Sequence, residues 1–116
     1  MPKYLFVYHG GDQPASKEEG DRTMAAWVGW INEAGKAMVD AGNPTSNSRT
    51  VAPNGSVSAT NGASATGYSI LEAPDMDSAL KAAKMCPQLK ANGSVEVAEI
   101  MPLMGKLRSA VDARAR

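Results

Sequence analysis

The sequence predicts an α+β fold, in which an antiparallel four-stranded sheet carries two helices on one face and an extra β-hairpin is attached. Two observations support this prediction. The chain contains two successive strand, helix, strand units, within residues 3–41 and 67–103, and a segment rich in Ser, Thr, Asn and Gly joins them. A length of 116 residues suits one domain. We assign the domain to residues 1–103 and a basic C-terminal tail to residues 104–116.

The first strand is predicted from the run Tyr4-Leu5-Phe6-Val7-Tyr8. Successive side chains of a strand point to opposite faces, so the aromatic residues share one face and the aliphatic residues share the other with His9. His9 therefore stands at the end of the strand. A loop containing Gly10-Gly11 and Asp12 follows it.

The first helix is predicted to begin at Ser16, because Ser16-Lys17-Glu18-Glu19 has the spacing of a capping box. Residues at i, i+3, i+4 and i+7 of a helix share one face. The buried stripe predicted on this basis is Met24, Trp27, Val28 and Ile31. Trp30 falls at the margin of this stripe, where we expect a subunit or a ligand to cover it.

Two ends of this helix are compatible with the sequence. In the first, Gly35 follows the last helical turn and residues 36–41 become a strand. In the second, the helix continues through Met38 and ends at Gly42-Asn43-Pro44. Periodicity alone does not distinguish them.

The joining segment contains a hairpin signal. Residues 49–52 and 56–60 are short runs that flank Pro53-Asn54-Gly55, and an Asn-Gly pair between such runs favours a tight turn. Residues 62–66 are interpreted as a flexible bridge to the next strand.

The second unit begins with a predicted strand at residues 67–72. Asp75 is expected to cap the second helix, because its carboxylate can accept the unpaired N–H groups of the first turn. We expect Pro87 to end this helix at Cys86 and the last strand to cover residues 95–101. The helix stripe predicted from the spacing is Met76, Ala79, Leu80 and Ala83.

One face of the predicted sheet has no cover, because both helices lie on the other. We therefore expect a homodimer in which this face is buried. The chain has 12 basic and 12 acidic residues, and the basic excess lies in the tail, so the rest is net negative and argues against a nucleic-acid partner. No signal peptide or membrane span is predicted, and we expect a cytoplasmic location.

His9, the only histidine, is the candidate general base. Asp40 is the candidate partner for His9, on the condition that residues 36–41 form a strand beside residues 4–8. One His and one distant Cys do not supply a metal site. Residues 62–67 have the glycine spacing of a phosphate-binding loop but lack its Lys-Ser/Thr pair. We therefore expect neither a metal nor a cofactor.

The chain resembles the YCII-related family, including its DGPF subgroup. The resemblance rests on short motifs whose order and spacing fit together: Tyr4-Leu5-Phe6-Val7-Tyr8, Gly42-Asn43-Pro44, Gly67-Tyr68-Ser69-Ile70-Leu71-Glu72-Ala73, Ala79-Leu80, Cys86-Pro87 and Val95-Glu96-Val97. It implies a ferredoxin-like fold that pairs into a dimeric α+β barrel with a cleft at the interface. It also implies that the first helix stops near Gly35. The chain has Asn61-Gly62-Ala63-Ser64 where the subgroup has Asp-Gly-Pro-Phe, and Trp27 near a position where some relatives carry a histidine.

Two classes of function follow from these observations. In the first, the dimer cleft binds a small organic molecule and transforms it by proton transfer without a cofactor; Trp27, Trp30 and Asp12 are the candidate substrate-binding residues. In the second, suggested by relatives encoded beside or fused to sigma factors, the domain is a regulatory or protein-interaction module. An exposed apolar patch around Trp30 would favour this second class.

Overall fold

The computed structural model of the chain describes residues 1–60 and 64–102. Its strands are β1 (Lys3–Gly10), β2 (Met38–Asp40), β3 (Arg49–Val51), β4 (Val57–Ala59), β5 (Ala65–Glu72) and β6 (Gly93–Glu99). Its helices are α1 (Lys17–Ala34) and α2 (Met76–Lys84), followed by short 3-10 turns at Gly35–Ala37 and Pro87–Ala91, respectively. The predicted tail at residues 104–116 lies outside the described residues.

The main sheet has four strands in the order β2-β5-β1-β6, and every neighbouring pair is antiparallel. The central strand β1 sets the register: Phe6 lies opposite Ser69 of β5 and Val97 of β6. Both helices contribute to a single core on one face of this sheet. The predicted α+β fold with a four-stranded antiparallel sheet and two helices is therefore confirmed.

The core is built from alternate residues of the central strands and from both helices. Its buried hydrophobic members are Tyr4, Phe6, Tyr8, Trp30, Leu71, Ala73, Ala79, Ala83 and Cys86. The aromatic face predicted for β1 is thus the one that the helices cover. Cys86 is 2% exposed, and burial raises the pKa of its thiol to about 11, so it is a core residue that stays protonated near neutral pH.

The stripe predicted for α1 is partly wrong. Trp30 is 7% exposed, whereas Met24 and Val28 are 66% and 49% exposed. The helix is rotated about its axis relative to the prediction, so that Trp30 faces α2 and its indole N–H donates to the backbone oxygen of Ala82 at 3.1 Å. A satisfied N–H allows the large ring to be buried at little polar cost. The expectation that a subunit or ligand covers Trp30 is therefore also wrong.

The ends of the helices follow the predicted signals closely. Ser16 Oγ accepts the Glu19 N–H at 3.1 Å, and Asp75 accepts the Ser78 N–H at 2.8 Å, a hydrogen bond that lowers the pKa of Asp75. Helix α1 ends at Ala34, before Gly35, and β2 follows, which settles the alternative left open by periodicity. Helix α2 ends at Lys84, two residues before the predicted stop. Of its predicted stripe, Ala79 and Ala83 are buried, while Met76 and Leu80 lie on its exposed margin.

The predicted hairpin is confirmed as a separate two-stranded sheet. Strands β3 and β4 pair through Arg49 to Ala59 and Val51 to Val57, and the turn between them includes Gly55 with a φ of 86°. Asn54 Oδ1 accepts the Ser56 N–H at 2.9 Å, which stabilises this turn.

The face of the main sheet opposite the helices is here called the open face. Its side chains from β1 are Leu5, Val7 and His9. Leu5 lies opposite Ile70 and Ala98 in the neighbouring strands, so the middle of the open face is apolar. No helix among residues 1–60 and 64–102 is long and apolar enough to cross a membrane.

Candidate functional site

A cavity of about 510 Å³, here called the aromatic cavity, opens on the helix side of the main sheet. It lies between α1, the segment 41–44 that follows β2, and the first half of β5. Its wall includes Tyr8, Met24, Trp27, Ile31, Tyr68 and Gln88. A volume in this range, with mostly apolar walls and a few polar groups, is typical of sites for small organic ligands.

The orientation of Trp27 in this wall is fixed by ring contacts on both sides. The Tyr8 and Trp27 rings meet edge to face with centroids 5.0 Å apart, and Trp27 meets Trp30 in the same way at 5.8 Å. Trp30 in turn contacts Phe6 in the core at 6.2 Å. Such pairs each contribute about 0.5–1.5 kcal/mol beyond their buried area. A continuous row of aromatic rings therefore connects the cavity wall to the core.

The segment 41–45 forms the opposite wall, and hydrogen bonds hold it against β5. Ser69 Oγ donates to the Ala41 oxygen at 2.7 Å, and Thr45 donates from its N–H to the Thr66 oxygen at 3.0 Å. A single bridge also pairs Pro44 with Gly67. The irregular segment that follows β2 thus continues this edge of the sheet along β5 and forms one wall of the cavity.

Gly42 is required where this segment approaches β5. Its φ is 76°, and a Cβ atom built on it would lie 1.7 Å from the backbone oxygen of Tyr68. Its N–H is held by Asp40 Oδ1 at 2.8 Å. Only a residue without a side chain fits this approach.

Two polar side chains of the cavity wall, those of Tyr8 and Gln88, take part in internal hydrogen bonds. Tyr8 donates its hydroxyl to Ser69 Oγ at 2.7 Å, and burial raises the pKa of Tyr8 above its ordinary value, so the phenol stays neutral. Gln88 Nε2 donates to the backbone oxygens of His9 and Gly10, each at 3.0 Å. These bonds fix the geometry of the cavity.

A second cavity of about 300 Å³, here called the polar cavity, lies on the flank of α1 that faces the turn Pro87–Ala91. It is lined by Asp12, Glu19, Arg22, Thr23, Ala26, Pro87, Lys90 and Ala91. Thr23 lines both cavities. The two cavities therefore lie side by side along the first turns of α1.

The structure places the two predicted catalytic residues apart. His9 points to the open face, where its Nε2 atom lies 3.0 Å from Glu96 Oε1. Asp40 belongs to β2, which pairs with β5, and β5 separates β2 from β1. The condition for a His9–Asp40 pair, a second strand directly beside β1, is therefore not met. The carboxylate beside His9 is Glu96, because Val7 and His9 of β1 lie opposite Glu96 and Ser94 in the adjacent strand β6.

The three predicted substrate-binding residues occupy three different places. Trp27 lines the aromatic cavity, Trp30 lies in the core, and Asp12 lines the polar cavity. Sequence reasoning missed Tyr8 and Gln88 as cavity residues. The sequence signal for the opposite wall is Gly42-Asn43-Pro44, a motif that by itself indicates a helix stop or the family resemblance and not a cavity. Within residues 1–60 and 64–102, no group of three or more His, Cys, Asp or Glu side chains is placed to hold a metal ion.

Comparisons with known proteins agree with this fold. The family model described as the YCII-related domain matches residues 4–104. A search of curated proteins returns no match. Among solved structures, the chain is similar to 5-chloro-2-hydroxyhydroquinone dehydrochlorinase from Burkholderia phenoliruptrix AC1100, solved in complex with 2,5-dihydroxybenzoquinone. The identity is 19%, the TM-score is 0.50, and the similarity covers 84% of this chain and 93% of that one.

Proposed function

Because the chain belongs to the YCII-related family, we propose that it is a small-molecule-binding protein whose ligand is a planar organic molecule held in the aromatic cavity. The observation that carries this proposal is the cavity itself: about 510 Å³, with the aromatic residues Tyr8 and Trp27 in its wall. Flat aromatic walls bury a flat ligand over a large area and lose little conformational entropy on binding.

The closed hydrogen bonds of the wall support a site that is formed before the ligand arrives. Tyr8, Ser69 and Ala41 form one chain of hydrogen bonds, and Gln88 is held by two backbone oxygens. A ligand then meets groups that are already ordered, which lowers the cost of binding.

Replacing Trp27 by Leu should weaken ligand binding at least tenfold, because the largest flat surface of the wall is lost; a fully buried aromatic contact contributes about 1.5–3 kcal/mol. We would first identify molecules retained by the native protein by mass spectrometry, and use 2,5-dihydroxybenzoquinone as the starting probe because the similar dehydrochlorinase was solved with it. Calorimetry then gives the dissociation constant. Val28→Ala is the matched control, since Val28 is the next residue on α1 and does not line the cavity.

A second variant guards against a loss of folding in Trp27→Leu. Met24 lines the cavity but is 66% exposed, so Met24→Trp adds bulk at the cavity without removing a core side chain. It should block the ligand while leaving the melting temperature close to that of the unmodified protein. Undiminished binding in both variants would rule out the aromatic cavity as the site.

We also propose that the protein is a homodimer in which two open faces pair. The apolar centre of the open face, Leu5 with Ile70 and Ala98, supports this proposal, because such a patch gains free energy when a second copy buries it. Light scattering should give twice the chain mass at micromolar concentration. Leu5→Lys should give the monomer mass, whereas Val57→Lys, on the exposed hairpin, should remain dimeric. A monomer mass for the unmodified protein would contradict the proposal.

The second candidate function is proton transfer in the cleft of such a dimer, with His9 as the general base. It is favoured by one observation, the 3.0 Å separation between His9 Nε2 and Glu96 Oε1, because a neighbouring carboxylate can orient an imidazole for proton transfer. The Asp40 carboxylate instead accepts the N–H of Gly42, which lines the aromatic cavity.

Replacing His9 by Ala should change the free energy of unfolding by less than about 0.5 kcal/mol, since the side chain is outside the core. It should abolish the pH dependence, between pH 5 and 8, of binding or turnover in the dimer cleft. Trp27→Leu, measured alongside, should keep that pH dependence. A large fall in melting temperature with an unchanged pH profile would instead make His9 a structural residue.

The regulatory or protein-interaction alternative loses the observation that was expected to favour it. Trp30 is buried, so no exposed apolar patch is centred on it. We therefore place small-molecule binding first.

A further inference from the structure

The polar cavity contains two cationic side chains, Arg22 and Lys90, for which no hydrogen bond or ion pair occurs among the described residues. They line the cavity from two different elements, Arg22 from α1 and Lys90 from the turn Pro87–Ala91. A guanidinium and an ammonium group that line one concave site can together hold a carboxylate or a phosphate.

The two carboxylates of the same cavity are already engaged by internal donors. Asp12 Oδ2 accepts from Asn92 Nδ2 at 2.6 Å, and Glu19 Oε2 accepts the N–H of Ala15 at 3.0 Å. Glu19 also lies in the first turn of α1, where the helix dipole favours a negative charge. Arg22 and Lys90 therefore supply the charged donors that a ligand in this cavity can use.

The polar cavity adjoins the aromatic cavity, and Thr23 lines both. Both cavities are lined by residues of α1 and of the turn Pro87–Ala91. This turn contributes Gln88 to the aromatic cavity and Pro87 to the polar cavity. A ligand with its ring against Trp27 can thus extend a substituent past Thr23.

We propose that the polar cavity is the subsite for an acidic substituent, so that the protein's ligand is an aromatic acid whose carboxylate is held by Arg22 and Lys90. This inference rests on the proposed function, because it assumes that the ring occupies the aromatic cavity. It adds a chemical class that the aromatic cavity alone does not specify, since the walls of that cavity do not distinguish an acid from a neutral ring.

The test compares two probes of equal shape, naphthalene-2-carboxylate and naphthalene-2-carboxamide, by calorimetry at low ionic strength. The acid should bind about tenfold more tightly than the amide, the order expected for charge-assisted hydrogen bonds from partly solvated cations. In the double variant Arg22→Gln with Lys90→Gln, the two probes should bind within about twofold of each other. Added salt should reduce the preference of the unmodified protein for the acid, because the two cations are exposed.

The matched control is Lys36→Gln. Lys36 lies in the 3-10 turn that follows α1. The last residue of α1 is about 18 Å from Arg22 along the helix axis, which is beyond the range of an exposed charge at physiological salt. The Lys36→Gln variant should keep the full preference for the acid.

The outcomes separate the two proposals. Equal binding of the acid and the amide to the unmodified protein would overturn the anionic subsite and leave the aromatic cavity as a ligand site. A preference that survives in the double variant would overturn the assignment to Arg22 and Lys90. If neither probe binds and Trp27→Leu retains every ligand found by mass spectrometry, the proposed function fails, and the subsite fails with it.

Discussion

Replacing Gly42 by Ala is expected to lower the free energy of unfolding by about 3–5 kcal/mol, a large share of the total for a domain of this size. Two effects add. The left-handed backbone at Gly42, with a φ of 76°, disfavours any residue with a side chain, and the new Cβ atom would lie 1.7 Å from the Tyr68 oxygen. Since the clash is with backbone, the segment 41–45 must move away from β5.

Gly55→Ala separates these two effects. Gly55 also has a positive φ, 86°, but no atom lies within 4 Å of the position of its Cβ. It should cost only about 1–2 kcal/mol, from the backbone conformation alone. Urea denaturation of both variants gives the comparison, and equal costs would show that the close approach at Gly42 is unimportant. Gly42→Ala should also weaken ligand binding in any fraction that remains folded, because Gly42 forms part of the cavity wall.

Replacing Trp30 by Ala is expected to cost about 3–5 kcal/mol, the range for truncating a buried large aromatic. The side chain is 7% exposed and contacts both Phe6 and Trp27, so the variant leaves a cavity between α1 and the sheet. It also leaves the Ala82 oxygen without the indole donor. Trp30→Phe should lower the free energy of unfolding by less than Trp30→Ala does, since it keeps an aromatic ring in the core and loses mainly this hydrogen bond.

Val28→Ala, compared with Trp30→Ala, tests which face of α1 is buried. The spacing in the sequence predicts Val28 in the buried stripe, whereas the structure leaves it 49% exposed. We expect a cost below about 0.5 kcal/mol, as for most surface substitutions. If chemical denaturation showed Val28→Ala to be the more damaging of the two, the orientation of α1 described here would be incorrect.

The candidate site illustrates why function is harder to read from this sequence than fold. The aromatic cavity combines Tyr8 from β1, Trp27 from α1, Tyr68 from β5 and Gln88 from a 3-10 turn, which are far apart in the chain. No local pattern joins them. Trp27 is predicted from its place on the apolar stripe of the first helix, whereas Gln88 carries no signal in the sequence.

The strength of local signals explains which parts of the fold could be predicted. The alternation in residues 4–8 and 67–72, the caps at Ser16 and Asp75 and the turn at Asn54-Gly55 each depend on neighbouring residues, and each appears in the structure. The end of α1 at Gly35 is a weaker case, because both Gly35 and Gly42 offer a stop, and the choice depends on whether residues 38–40 pair with β5.

Local patterns predict the strands and helices other than β2, the two faces of β1 and β5, and the helix caps, because period-2 alternation and capping chemistry act over a few residues. The rotation of α1 about its axis depends on long-range packing, since Trp30 gains more by packing on Phe6 and α2 than Met24 and Val28 would gain in its place. The tertiary structure also decides that Glu96 and not Asp40 lies beside His9. The order of the strands places those carboxylates, and it depends on contacts between residues 30 or more positions apart, which no local pattern records.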